Sequence, residues 1–322
     1  MKTIIVEQPG GPDQLTLVDA PVPQPGPDDV VVKVTASGVN FIDVYFRSGL
    51  YKAPPPVAIG SEAAGVVEAV GTNVSTIVPG DRVAYAMVRG AYAEYARVPA
   101  AQVVKVPTGV SSEHAAAVLL QGMTAHYLTR SVFPLKTGDT CLVHAAAGGT
   151  GALVVQMAKT FGARVLATVS TQEKAAVARA AGADDVILYG EQDFAAEARR
   201  LTGGRGVDVV YDGVGKTTFD RSLDSLRPRG MMALFGASSG PVPAFDPLVL
   251  NTKGSLFLTR PTLANYIATP EELQWRAKDV FAMVATGALT VRIGQTFPLA
   301  RAADAHRALE GRASTGKLLL IP

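Results

Sequence analysis

The chain has 322 residues, 48% of them hydrophobic and 18% charged, with a formal net charge of +2. That length suggests roughly two domains of ~150 residues with apolar material for sizeable cores, and the near-balanced charge argues against a dedicated nucleic-acid binder, which shows a basic face. No apolar run approaches a membrane span of about 18 residues, and a single cysteine, Cys141, excludes an intrachain disulfide or a cysteine-rich metal site and suits a reducing cytoplasm.

Met1–Val6 reads as a first strand and not a signal peptide, because Glu7 and Pro9 cut the apolar run short. Residues 1–121 continue as short strands between turns, at 2–7, 15–19, 30–37, 64–70, 82–86, 93–98 and 103–105. Pro21–Pro27, Pro54-Pro55-Pro56 and Val78-Pro79-Gly80-Asp81 are the breaks. Strands this short and closely spaced predict a β-barrel-like domain.

Within it, Val39–Gly49 is distinctive. Asn40 can cap a helical turn that places Asp43 one turn on, with Tyr45 and Tyr51 close in sequence. Asn40, Asp43, Tyr45 and Tyr51 are the candidate catalytic set, and Phe41, Ile42 and Phe46 would supply a flat apolar wall. Gly60-Ser61-Glu62-Ala63-Ala64-Gly65 follows as a second distinctive segment.

The middle of the chain changes rhythm. Thr140–Val143 is an apolar strand, His144–Gly151 a small-residue turn and Ala152–Phe161 a helix. Ala146-x-Gly148-x-x-Gly151 has the spacing of a dinucleotide fingerprint with alanine at its first position. Gly148, Gly149, Thr150 and Gly151 let backbone approach a pyrophosphate at a helix N-terminus. Strands at 164–169, 186–189, 207–211 and 231–235 then alternate with helices at 172–181, 194–201 and 219–226, which predicts a parallel doubly wound sheet. A carboxylate at the end of the second strand would grip a ribose hydroxyl and repel a 2′-phosphate. Here stand Ser170, Thr171 and Lys174, with Tyr189 at the end of the third strand, and this favours NADPH over NADH. The C-terminal part is read as a last strand at 255–259, a helix at 271–286, a strand at 296–299, a helix at 302–310 and a strand at 317–321.

The order of a strand-rich domain, Gly60-Ser61-Glu62-Ala63-Ala64-Gly65 and then Ala146-Ala147-Gly148-Gly149-Thr150-Gly151 resembles the medium-chain dehydrogenase/reductase superfamily. The zinc-dependent branch carries histidine and cysteine where this chain has Ser61 and Asn40, so no zinc is expected. Gly138-Asp139-x-x-Leu142-x-x-x-Ala146-Ala147-Gly148-Gly149-x-Gly151, Val210-Tyr211-Asp212-x-Val214-Gly215, Phe235-Gly236-x-Ser238-Ser239-Gly240 and Gly254-Ser255-Leu256-x-x-Thr259-Arg260-Pro261 resemble the quinone oxidoreductase/zeta-crystallin family.

That resemblance implies an α/β protein: a GroES-like β-rich catalytic domain (1–121, completed by a return segment at 262–322) and a Rossmann doubly wound parallel sheet (122–261). It implies that Phe41, Thr124, Tyr127, Val214, Leu258, Arg260 and Arg312 lie by the cofactor, NADPH, and that the last Rossmann strand pairs with a second subunit to make a homodimer; Phe235, Ser238 and Ser239 join the cofactor set because they follow a sheet strand, where the C-terminal strand ends form the crevice. The implied activity is metal-free reduction of a quinone, with Asn40, Tyr45 and Tyr51 as side-chain donors to substrate oxygens and Asp43 orienting a tyrosine or a ribose hydroxyl. Reduction of α,β-unsaturated carbonyls is the alternative, with single-stranded RNA binding at most a side activity.

Overall fold

The computed structural model describes residues 1–311 and 314–322; Arg312 lies outside the described residues. The chain divides into two units: Met1–Met123 with Ile267–Gly287 and Val291–Pro322, and Thr124–Tyr266 with Ala288–Thr290.

The first unit opens with β1 (Lys2–Val6), β2 (Thr16–Asp19) and β3 (Asp29–Val39), followed by α1 (Phe41–Arg47). It continues through β4 (Val57–Ala58), β5 (Glu62–Val70), β6 (Arg82–Ala86), β7 (Tyr95–Pro99) and β8 (Val103–Lys105) into α2 (Ser112–Tyr127). Strand β3 is the organiser. Its run Val30-Val31-Val32 and then Val34, Ala36 and Val39 are all buried, so both faces are covered. β-branched residues suit such a doubly buried strand. One face packs with Val67, Ile77, Val83 and Tyr85; Val39 at its end joins a second cluster with Ile4, Ile59, Tyr92 and Leu299.

Helix α2 departs from the strand-and-turn reading of residues 1–121. It is buried around most of its circumference, at Ala115 through Leu119, Met123, Ala125 and Tyr127. A helix enclosed on several sides has no polar stripe to reveal a 3.6-residue period. Gly122 looks like a breaker but serves contact: a Cβ there would come within 2.7 Å of Val280 Cγ1.

The second unit holds β9 (Thr140–Val143), α3 (Gly149–Thr160), β10 (Arg164–Val169), α4 (Gln172–Ala180), β11 (Asp185–Leu188) and α5 (Phe194–Leu201). Then come β12 (Val207–Asp212), α6 (Phe219–Ser225), β13 (Leu226–Leu234), α7 (Leu248–Thr252), β14 (Phe257–Thr259) and α8 (Leu263–Tyr266). The sheet order is β11-β10-β9-β12-β13-β14, parallel throughout. Strand order reverses between β9 and β12, which opens a crevice at the C-terminal strand ends, the place where doubly wound sheets bind ligands. Leu142, Leu166, Ile187, Val210, Phe219, Leu223 and Met232 fill the core of this unit.

The chain then returns through α9 (Pro270–Ala285), β15 (Ile293–Pro298), α10 (Ala302–Glu310) and β16 (Lys317–Ile321). Strand β16 pairs antiparallel with β3, Leu318 opposite Val39 and Leu320 opposite Ser37, and parallel with β15. The C-terminal strand is therefore interior to the seven-stranded sheet.

Candidate active site

In the first unit the candidate residues follow from the start of α1. Asn40 is extended (φ −135°, ψ 155°), and the helix begins at the next residue. The Asp43 carboxylate reaches back to accept the Asn40 backbone N–H at 3.0 Å, which satisfies one of the helix's orphan donors.

The Asn40 side chain turns the other way. Its oxygen accepts from Lys317 Nζ at 2.7 Å, and its nitrogen donates to Gly38 O at 3.1 Å and Glu62 Oε2 at 2.9 Å. Lysine only donates, so the amide orientation is fixed. Both amide hydrogens are thus used inside the protein, and Asn40 offers acceptor capacity where sequence reasoning expected a donor to substrate oxygens. Lys317 also donates to Glu62 Oε2 at 2.6 Å, and Glu62 Oε1 accepts from the Leu120 N–H at 2.6 Å. Lys317 is 2% exposed and Glu62 0%. Gly38 makes room for the pair, because a Cβ there would collide with Glu62 and the Ala116 carbonyl.

Asp43 is likewise enclosed, at 1% exposure. Ser61 Oγ donates to its Oδ1 at 2.7 Å and Tyr92 Oη to its Oδ2 at 3.1 Å. Tyr92 Oη also lies 3.1 Å from His306 Nε2, and His306 Nδ1 lies 3.1 Å from Arg47 Nη1. Arginine has only donors, so Nδ1 accepts and Nε2 carries the hydrogen; Tyr92 accepts it and passes its own hydrogen to Asp43. Arg47 ends the chain in a fork on Glu310, at 2.7 and 2.8 Å. Burial pushes the Asp43 carboxyl up to about 6, against the pull of its donors Ser61, Asn40 and Tyr92. Burial, with help from the Arg47 charge, pushes His306 down to about 3. The tyrosine hydrogen-bonded to Asp43 is Tyr92, which is not one of the candidate set.

The aromatic residues of this segment do come together. Phe41 and Tyr45 have ring centroids 6.3 Å apart, Tyr45 and Tyr51 5.2 Å, and Phe46 and Tyr51 5.7 Å edge to face. The Arg89 guanidinium sits 5.3 Å over Phe46. Tyr51 is exposed, Phe41, Ile42 and Phe46 are half-buried, and Tyr45 is buried. Sequence reasoning missed Lys317, Tyr92, Arg47 and His306. A signal existed for Lys317, since a charge heading the apolar run Leu318-Leu319-Leu320 must find a partner when buried.

In the second unit, β9 runs into the glycine turn. The left-handed residue is Ala145 (φ 49°), one place before the fingerprint's first position. Its carbonyl accepts the Gly148 N–H at 2.8 Å and closes the turn. A Cβ at Gly151 would collide with that same carbonyl, and one at Gly148 would lie 3.1 Å from it. The bend is a cradle that side chains would fill, and α3 starts at Gly149 with first-turn N–H groups and a positive dipole end at Gly149, Thr150 and Gly151. These features fit a pyrophosphate.

Ser170 and Thr171 follow β10 and are exposed, as is Tyr189 after β11. Thr171 caps α4 by accepting the Lys174 N–H at 3.3 Å. Val214, Ser238 and Ser239 share one loop cluster: Ser239 N and Oγ donate to Val214 O at 2.9 and 2.8 Å, and Ser238 N donates to Gly213 O at 3.2 Å. Phe235 packs against Gly213, where a Cβ would come within 2.9 Å of its ring. Leu258 on β14 packs against the core, and Arg260 beyond it is exposed. Thr124 is 8% exposed. Tyr127 is 1% exposed, its ring stacked on Tyr266 at 4.3 Å and 6°; Tyr266 is half-buried and covers it.

Among the described residues, no group of three or more His, Cys, Asp or Glu side chains is placed to hold a metal ion. At the positions expected to carry ligands in zinc-dependent relatives, Asn40 faces an ammonium and Ser61 gives its hydrogen to Asp43. That donor set does not fit zinc.

The β-rich unit and the fingerprint-bearing parallel sheet define a GroES-like domain joined to a Rossmann domain, the architecture of medium-chain dehydrogenases/reductases. Two family models match: "Alcohol dehydrogenase GroES-like domain" over residues 26–108 and "Zinc-binding dehydrogenase" over 149–275. The chain is 46% identical to quinone oxidoreductase of Pseudomonas aeruginosa over 97% of both chains. It is 43% identical to a 2-haloacrylate reductase of a Burkholderia species over 99% of this chain and 98% of that one. A mycobacterial protein solved in complex with NADPH is 52% identical, covers 100% of both chains and superimposes with a TM-score of 0.98. The chain belongs to the quinone oxidoreductase family.

Proposed function

We propose that this protein is an NADPH:quinone oxidoreductase. The observation that carries the reading is the second unit's glycine cradle combined with the ends of β10 and β11. Hydroxyl donors at Ser170 and Thr171, with Lys174 in the first turn of α4, stand where a carboxylate would exclude a 2′-phosphate, and Tyr189 adds a further donor at the end of β11. Relatives named as quinone oxidoreductases, and one solved with NADPH, support it.

Bound NADPH supplies a hydride; with one further proton the quinone leaves as the hydroquinone. The chain's own residues do the remainder. Gly148–Gly151 and the start of α3 hold the pyrophosphate, and Ser170, Thr171 and Lys174 hold the 2′-phosphate. The aromatic surface of Phe41, Tyr45, Phe46 and Tyr51 offers flat apolar contact to a quinone ring, and the hydroxyls of Tyr45 and Tyr51 are donors for a developing oxyanion. Asp43 acts through Tyr92 and Ser61 to hold α1 in place. The edge strand β14, with Phe257 57% exposed, is the surface we assign to pairing in a homodimer, and the lone buried Cys141 suits a cytoplasmic setting.

A second reading, reduction of α,β-unsaturated carbonyls, is favoured by the 2-haloacrylate reductase relative. Stopped-flow NADPH oxidation against benzoquinone, naphthoquinones, 2-chloroacrylate and a small enone separates the two. Turnover with quinones at least tenfold above the others is expected, and the reverse ranking would replace the first reading with the second. Lys174→Ala should raise the KM for NADPH far more than that for NADH; equal effects would remove Lys174 from the phosphate site.

A further inference from the structure

Four side chains that the coenzyme reading leaves unused, His144, Thr168, Asp212 and Ser222, form one buried line across the C-terminal ends of β9, β10 and β12. All are 2% exposed or less. Thr168 Oγ1 lies 2.8 Å from His144 Nδ1, Ser222 Oγ lies 2.9 Å from His144 Nε2, and Ser222 donates to Asp212 Oδ2 at 2.9 Å. The direction of the line follows from its end. Ser222 spends its hydrogen on the carboxylate, so its oxygen accepts from Nε2–H; Nδ1 is then bare and accepts from the Thr168 hydroxyl. Burial holds His144 below its ordinary range, which keeps the imidazole neutral, as the pattern requires.

The two ends of the line hold different loops. Asp212 Oδ1 accepts the N–H groups of Val214 and Gly215 at 2.7 and 3.0 Å, and its Oδ2 accepts Thr218 Oγ1 at 2.7 Å. Its backbone carbonyl accepts the Phe235 N–H at 2.8 Å. At the other end, the His144 N–H donates to Tyr211 O at 3.1 Å and the Ala146 N–H to Thr168 O at 3.2 Å, on either side of the left-handed Ala145 that closes the glycine turn.

We propose that His144, with Thr168, Ser222 and Asp212, is a positioning device for the dinucleotide. It ties the 145–151 turn to the 213–218 and 235–239 loops, so that both stand in their binding arrangement before the coenzyme arrives. This rests on the NADPH reading above. Residues so deeply buried act through the loops they hold. With the line cut, the loops have to be ordered by the coenzyme itself, and that cost appears as weaker affinity.

The test uses the full-length protein and NADPH as probe. Thr168→Val removes the donor to Nδ1 at unchanged volume, Ser222→Ala removes the middle link, and Thr168→Ser keeps the hydroxyl. Calorimetry should show NADPH binding weakened roughly tenfold in Thr168→Val and Ser222→Ala, the effect expected of one unpartnered buried polar group. The KM for NADPH should rise in step, kcat at saturating NADPH should stay within about twofold, and Thr168→Ser should stay near wild type. Wild type failing to bind NADPH would sink the coenzyme reading instead. Wild type binding normally while both disrupted variants bind equally well, with only the melting temperature lowered, would overturn the positioning role. So would a fall in kcat at unchanged KM. If Ser222→Ala does not fold, the isosteric Thr168→Val carries the test.

Discussion

Lys317→Met should be among the most damaging single substitutions in the first unit. The ammonium lies 2.6 Å from Glu62 Oε2 with both side chains at or below 1% exposure. Methionine keeps the length of the stem and loses the charge. Among the described residues, Glu62 would remain a buried carboxylate with Asn40 Nδ2 and the Leu120 N–H as its donors, and Asn40 Oδ1 would lose the Lys317 donor. Removing one partner of a buried ion pair typically costs about 3–5 kcal/mol. In a unit of this size that is a fall of roughly 6–20 °C in the melting temperature. The paired change Glu62→Leu with Lys317→Met removes both charges, and it should cost less than Lys317→Met alone because no uncompensated carboxylate is left. Differential scanning calorimetry of wild type, both single variants and the double variant closes the cycle. Additive losses, or a Lys317→Met loss below about 1 kcal/mol, would refute the claim that the ion pair is coupled and desolvated.

Tyr85 Oη is buried without a hydrogen-bond partner among the described residues, so Tyr85→Phe should be neutral or stabilising by up to about 1 kcal/mol in chemical denaturation; a clear loss would show that the hydroxyl is satisfied in solution. Asp43 and His306 oppose each other in acid. Asp43, raised from 3.8 to about 6, makes the folded state bind more protons than the unfolded over that window, so its share of stability falls as pH rises. His306, lowered from 6.5 to about 3, makes the unfolded state bind more, so its share falls as pH drops. The two slopes cancel between about 4 and 6, and Asp43→Asn should unmask the histidine with up to about 1.4 kcal/mol lost per pH unit on acidification through that window. An unfolding free energy with the wild-type slope would count against the buried pair. Ala145→Gly should stabilise the turn by up to about 1 kcal/mol, because the residue sits at φ 49°, and equal or lower stability would show that the turn gains from alanine's smaller unfolded-state entropy.

The elements legible in the sequence are those whose pattern is local. Arg82–Ala86, Arg164–Val169, Phe194–Leu201, Ala302–Glu310 and Lys317–Ile321 have the bounds that alternation, helical period or turn residues imply. The fingerprint is also local, and its cradle lies where strand–turn–helix spacing puts it. Helix α2 was illegible because enclosure erased its polar face. The buried polar chains were illegible for another reason. Asn40 and Lys317 are 277 positions apart, and Arg47 and His306 259, so no window of sequence holds both partners. Asn40 and Asp43 could be picked out, but their partners come from the far end of the chain, and the partners decide which atoms remain to act.

Because the strand that carries Lys317 lies inside the seven-stranded sheet, beside β3, the order of manufacture and the order of completion are inverted. A nascent chain finishes its nucleotide-binding unit while the earlier-made β-rich unit still shows an open flank along β3 and an uncompensated carboxylate at Glu62. Lys317–Ile321, made later, closes both. A chain cut short before Lys317 would lack that residue and that strand together, leaving an unpaired β3 flank, of the kind other chains can recruit.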